Sequence, residues 1–195
     1  MRYLIDSKIN RFDEELVNEC LQWIPPQQVE QIKAVHHLQG QKEKVAVYCL
    51  LTELLKSIGE TELPLIGHTE KGCPHLITHP QYHISISHCK NAVAVAIDSE
   101  KAIGIDIECR RKISDALIEK VCNDEEQESI KQSIDPEKEF IRIWTRKEAY
   151  YKCLGTGIQD SLKEVDRLAQ LSNHTIESVE LPYPTDGWFT ICIEK

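Results

Sequence analysis

Residues 82–89 read Tyr-His-Ile-Ser-Ile-Ser-His-Cys, an alternation of polar and apolar side chains with the period of a β-strand. Ile84 and Ile86 then face one way and Ser85 and Ser87 the other. Ala92 to Ile97 is a second β-type run after Asn91, and Ile103-Gly104-Ile105-Asp106-Ile107-Glu108 is a third. In the third, the isoleucines share one face and both carboxylates the other, so Asp106 and Glu108 project in parallel and can reach one cation together. Taken as a pair alone, they are more commonly the wet side of an antiparallel sheet. Ser87 and His88, taken alone, are likewise a polar strand end with its hydrogen bonds satisfied.

Helical patterns flank this block of strands. Upstream, Tyr3 to Ile5 reads as a short strand, followed by helices from Phe12 to Trp23 and again after Pro25 and Pro26. Val47, Leu51, Leu54 and Ile58 then recur at helical intervals, with Gly59 as a C-terminal stop. Lys42 and Lys44 stand at the start of that helix, and on their own they are a solvated helix end. From Pro64 the chain breaks into turns and strands, with Lys71-Gly72-Cys73-Pro74 as a turn signal.

Downstream, Asn123 with Glu126 forms a capping-box pattern, and Asp135-Pro136-Glu137 opens another helix that ends near Gly155-Thr156-Gly157. Thr175 to Leu181 and Gly187 to Glu194 read as closing strands around a turn with Pro182, Pro184 and Asp186. The order of textures predicts an α+β protein in two halves of similar plan, residues 1–97 and 98–195.

Composition narrows the function classes. A chain of 195 residues with 41% hydrophobic residues can bury a real core. Its net charge of -9 argues against a surface devoted to nucleic acid, which needs a basic footprint, so a phosphate ligand would require a local basic cluster. No apolar run approaches a membrane span and nothing reads as a signal peptide, which makes the cytoplasm the expected compartment. The eight cysteines are scattered singly and are expected as reduced thiols. His75, His79 and His83 recur every four residues, but Pro80 interrupts the helix that a metal site at that spacing needs.

Residues 144–154, Trp-Thr-Arg-Lys-Glu-Ala-Tyr-Tyr-Lys-Cys-Leu, carry the chemistry. At helical spacing Phe140, Ile143, Trp144, Tyr151 and Leu154 share one side, while Ile141, Glu148 and Lys152 share the adjoining flank. Glu148 and Lys152 alone are a helix-stabilising ion pair worth about 0.2 to 0.5 kcal/mol.

Ser87-His88, Gly104 to Glu108 and Trp144 to Lys152, in this order and at these separations, together resemble the 4′-phosphopantetheinyl transferases of the surfactin-synthetase type. The resemblance implies that family's fold: a monomer of two α+β halves related by a pseudo-twofold, with coenzyme A and Mg²⁺, or Mn²⁺ in its place, in the cleft between them. It implies transfer of the 4′-phosphopantetheine arm of coenzyme A to a serine of an apo acyl or peptidyl carrier protein, releasing 3′,5′-ADP. Such carriers serve fatty-acid, polyketide and nonribosomal peptide synthesis.

By the same resemblance, Asp106, Glu108 and Glu148 match the metal ligands, and Glu148 also matches the base, acting directly or through water. Lys152 matches the pyrophosphate lysine, Ser87 and His88 match contacts to the 3′-phosphate, and Lys147 matches a basic position beside the metal acid. Lys71, Gly72 and Pro74 match a phosphate-contact turn in which Cys73 replaces a common lysine. Cys89 replaces a common serine. Lys42 and Lys44 are alternatives for the amino-terminal phosphate contact. Three acids with a lysine suit a hard cation and a pyrophosphate. The altered Cys73 and Cys89 motivate the alternative of a non-catalytic coenzyme A- or nucleotide-binding module. Arg110, Arg111 and Lys112, just beyond the acid pair, are candidates for flanking a docking surface for an acidic carrier, or are ordinary surface charge.

Overall fold

The computed structural model describes residues 1–158 and 162–195. In chain order the elements are β1 (Arg2–Asp6), α1 (Glu14–Leu21), α2 (Pro26–Lys33), α3 (Leu38–Ser57), β2 (Ile66–His68), β3 (Pro74–Leu76), β4 (His83–Cys89) and β5 (Ala92–Asp98). There follow β6 (Ile103–Cys109), α4 (Asp115–Val121), α5 (Asp124–Gln132), α6 (Pro136–Leu154), α7 (Val165–Leu171), β7 (His174–Leu181) and β8 (Gly187–Glu194). The fold is α+β with antiparallel sheets. One sheet runs β1-β5-β4, another β6-β8-β7, and β2-β3 is a hairpin.

The expected stops are in place for physical reasons. Gly59 has φ of 92° after α3, and Gly155 caps α6 at φ of 62°, where a side chain would be strained. Asn123 and Glu126 close a reciprocal capping box on α5. Asp135 caps α6, with Pro136 in its first turn.

β5 explains how the two sheets meet. Every residue of Ala92–Asp98 is buried, because alternate residues serve two layers. Val93, Val95 and Ile97 join the core around α3, with Ile84, Leu51, Leu54 and Tyr48. Ala92, Ala94 and Ala96 face Ile103, Ile105 and Ile107 of β6, together with Phe189 of β8. Alanine removes bulk from this face, so β6 comes close. A third cluster, with Phe140, Ile141, Tyr150 and Tyr151, surrounds α6.

Ser85 and Ser87 lie opposite Ala96 and Ala94, on this inner face. β6 pairs with β8 along one edge, and β4 lies beside it. There the Ser85 hydroxyl accepts from the Ile105 N–H at 2.9 Å and the Ser87 hydroxyl from the Ile107 N–H at 3.2 Å. Two strand amides that would otherwise be orphaned in a dry seam are thus satisfied by side chains.

The expected one-sided α6 is buried more fully than its pattern predicts. Thr145, Lys147, Ala149 and Cys153 are buried as well as the apolar stripe, while Leu154 is exposed. The sheet covers one side of α6, and α5 and α7 cover others. At Gly104 the approach is so close that an added Cβ would overlap the Ala149 carbonyl oxygen and the Cys153 backbone nitrogen, and would sit 2.9 Å from the Cys153 Cα. The eight cysteines are free thiols. Six of them, scattered in sequence, come close enough in space to influence each other as pairs: Cys20 with Cys49, Cys89 with Cys109, and Cys153 with Cys192. His79 is buried against Thr78, whereas His75 and His83 are exposed on β3 and β4. Among the described residues no helix is long and apolar enough to cross a membrane.

Candidate active site

On β6 the isoleucines point into the seam between sheets, so Gly104, Asp106 and Glu108 point to the α6 side. Gly104 sets the spacing of α6 above the strand, and one turn separates Glu148 from Lys152 on that helix. Lys152 turns to the strand rather than to Glu148. Its Nζ lies 2.7 Å from Asp106 Oδ1 and 3.0 Å from Ser87 Oγ. The Ser87 hydroxyl donates to the same Oδ1 at 2.7 Å. Asp106 is 4% exposed, and its other oxygen, Oδ2, is buried without a hydrogen-bond partner. A carboxylate oxygen left in that condition is a natural acceptor for a cation.

The other two acids are both shifted toward their protonated forms. Burial, and then the charge of Asp106, push the Glu108 carboxyl up to about 7, against the opposing pull of Arg111 and Lys152. Burial and Asp106 also raise Glu148, with Lys152 opposing. One further positive charge among these groups would relieve all three. The donor set is all-oxygen, which suits a hard divalent cation such as Mg²⁺. Among the described residues no three His, Cys, Asp or Glu side chains stand together as a ready-made ligand cluster. Asp106 spends its Oδ1 on Lys152 and Ser87 instead.

Two cavities are lined by residues expected from the sequence. The smaller, about 280 Å³, is lined by Lys71, Gly72, Cys73, Ser85, Glu148 and Lys152 among others. Gly72 at φ of 81° makes the turn that carries Lys71. The Cys73 thiol donates to the Gly155 carbonyl at 3.3 Å, tying that turn to the end of α6. The larger cavity, about 410 Å³, is lined by His37, Glu43, Lys44, Tyr48, His68 and His88 among others. His88 Nδ1 lies 3.3 Å from Glu43 Oε2. Pro74 and Ile86 line both spaces.

Of the residues expected from sequence, Ser87, Asp106 and Lys152 meet directly, with Glu108 and Glu148 within their electrostatic reach. Lys71, Gly72 and Pro74 share a cavity with Glu148 and Lys152, and Lys44 and His88 share the larger one. Lys42 lines neither, which leaves Lys44 as the amino-terminal lysine placed at a cavity. Ser87 is buried and bonded to Asp106 and Lys152, so its hydroxyl is engaged with the acid.

Lys147 lies apart from the acids expected to hold the cation. It is 2% exposed, and its Nζ binds Glu126 at 2.7 and 2.8 Å and the Leu162 carbonyl at 2.8 Å, on the α5 side of α6. Adjacent positions on a helix differ by about 100°, so Lys147 cannot share the flank of Glu148. If the acids form an active site, Lys147→Met should leave its kcat/KM within about threefold of the parent while lowering the melting temperature, because the partly buried Glu126 loses its partner. A loss of activity without a loss of stability would put Lys147 back at the site.

Arg110 is committed to Asp135 and Glu137, so of the three basic residues beyond β6 it is the least available for docking. Sequence reasoning missed Ser85, whose signal was its place two residues before Ser87, and His37 and His68, which carried none. It also missed the part Gly104 plays in seating α6.

The sequence profile described as the 4′-phosphopantetheinyl transferase superfamily matches residues 102–186, a segment holding β6, α6 and β7. The chain is 33% identical over 121 residues to 4′-phosphopantetheinyl transferase psf-1 of Bacillus pumilus, covering 60% of this chain and 51% of that protein. It is 36% identical over 86 residues to 4′-phosphopantetheinyl transferase HetI of a Nostoc species, covering 42% of this chain and 36% of that protein. The chain thus spans about half or less of the length of these curated relatives. The segment similar to the 4′-phosphopantetheinyl transferase superfamily contains Asp106, Glu108, Glu148 and Lys152.

Proposed function

We propose that the chain moves the 4′-phosphopantetheine arm of coenzyme A onto a serine of an apo acyl or peptidyl carrier protein, releasing 3′,5′-ADP. The observation that carries this reading is the meeting of Asp106, with its unpartnered buried oxygen, with Lys152 at the wall of the smaller cavity, inside the segment similar to the superfamily. Asp106, Glu108 and Glu148 would hold Mg²⁺, or Mn²⁺ in its place. When bound, that cation supplies charge stabilisation to the pyrophosphate oxygens.

The chain's own residues do the rest. The larger cavity, with Lys44, His37 and His88, takes the nucleotide end of coenzyme A, and Lys71 and Lys152 face the pyrophosphate from the smaller one. The carrier serine oxygen forms a bond to the phosphorus bearing the pantetheine arm, and the bridging P–O bond to the nucleotide breaks. The serine proton passes to Glu148, whose affinity for protons is raised by burial and by the charge of Asp106. Lys152 balances the charge that develops on the departing nucleotide phosphate. The two halves, residues 1–97 and 98–195, are read as pseudo-twofold partners, each a three-stranded antiparallel sheet with one long helix, α3 or α6. The protein is read as a cytoplasmic monomer.

The test is to incubate the purified chain with coenzyme A, Mg²⁺ and a panel of apo carrier proteins, and to read the carriers by mass spectrometry. A phosphopantetheine adduct on a carrier serine, absent without Mg²⁺, is the expected result. Tight coenzyme A binding with no adduct on any carrier would favour the non-catalytic module.

A further inference from the structure

Lys152 has two claimants. Under the proposed function, on which this inference rests, its ammonium belongs against the pyrophosphate of coenzyme A. In the structure it belongs to Asp106, at 2.7 Å, and Ser87 holds it there. The arrangement is built rather than incidental. The Ser87 hydroxyl is fixed by the Ile107 N–H, donates to Asp106 Oδ1 and accepts from Lys152 Nζ, so serine, lysine and acid form a closed triangle on one oxygen. Oδ2 is left bare. A buried carboxylate with no positive partner is costly, and Lys152 removes that cost. Its side chain is 31% exposed, so it can leave without unpacking α6.

We propose that Lys152 is an exchanging counter-ion: it rests on Asp106, competes there with a divalent cation, and passes to the ligand's phosphates once the cation has taken its place. Two positive charges on one carboxylate repel each other, and anionic phosphates attract the one that is displaced. Cation and nucleotide therefore assist each other's binding through one movable ammonium, and the assistance is reciprocal. Ser87 is the positioning residue that parks the lysine on Oδ1 and leaves Oδ2 for the cation.

The test is Mn²⁺ binding without coenzyme A, followed by electron paramagnetic resonance on the whole chain and on Lys152→Met. The variant keeps the length and apolar stem of the lysine and removes the competitor, so it should bind Mn²⁺ at least about tenfold more tightly than the parent. A parent too weak to measure beside a variant that binds is the same result. Equal or weaker binding by the variant, or no binding by either, overturns the proposal. Should the variant fail to fold, amine labelling of the unmutated chain decides. Mn²⁺ alone should raise the labelling of Lys152 and leave that of Lys44 unchanged, and no rise at Lys152 overturns the exchange. Failure of the transferase reading is seen separately, in the carrier assay. A chain that shows the exchange but modifies no carrier keeps this proposal for a different phosphate ligand.

Discussion

Under the proposed function, Asp106→Asn should lower kcat for carrier modification by about 10²- to 10³-fold, since the substitution keeps the shape of the side chain and removes its charge from the centre of the site. Stability should change far less. Lys152 is about one-third exposed and can turn to solvent, and an amide can still meet the Ser87 hydroxyl. Parallel measurement of carrier modification, Mn²⁺ binding and melting temperature checks this. The expected pattern is loss of turnover and of Mn²⁺ binding together, with a melting temperature within a few degrees of the parent. If Asp106→Asn kept turnover within about threefold of the parent, the carboxylate would not be the organising charge of the site, and the metal assignment would fall with it.

Gly104→Ala should have the largest effect on stability. The added methyl would meet backbone atoms of α6, the Ala149 carbonyl and the Cys153 nitrogen, rather than the end of a flexible side chain. Overpacking of this kind is expected to cost about 3 kcal/mol, the upper end of its usual range. For a chain of this size that corresponds to a melting temperature lower by roughly 6–12 °C. The accommodation open to the protein is to lift α6 from β6, which also moves Glu148 and Lys152 away from Asp106. Turnover should therefore fall even in the fraction that remains folded. Thermal denaturation with kinetics at a temperature where the variant is folded separates the two effects. A variant as stable as the parent would mean that α6 does not sit on the strand as closely as described.

The elements were legible where one local rule dominates. The alternation of residues 82–89, the Asn123–Glu126 cap, the Asp135-Pro136 start and the Gly59 and Gly155 stops each act within a few residues, so composition and spacing suffice to place them. Strand and helix periods made two pairs legible, Asp106 with Glu108 on one strand face and Glu148 with Lys152 on one helix flank, and only the family resemblance joined the two pairs into one candidate site. What was not legible depended on a second layer. The pattern of α6 showed one apolar side, and only the packing of α5 and α7 around it made Lys147 a buried partner of Glu126. Lys42 and Lys44 are two positions apart on a helix, which turns them about 200° from each other. Sequence could not say which of the two faced a cavity.

By itself the sequence determined an α+β chain, its strand alternations, its helix ends and the positions of a set of acids and lysines along them. Periodicity and capping are local, so they are written in the order of residues. The tertiary structure alone decided which partners those groups take. Ser85 and Ser87 satisfy the edge of β6 because β4 lies beside it, and α6 descends onto Gly104 because that residue has no side chain to hold it off. Lys152 rests on Asp106 rather than on Glu148, its neighbour one helical turn away. Its partner depends on how closely the helix meets the strand, a distance between elements that no spacing along the chain encodes.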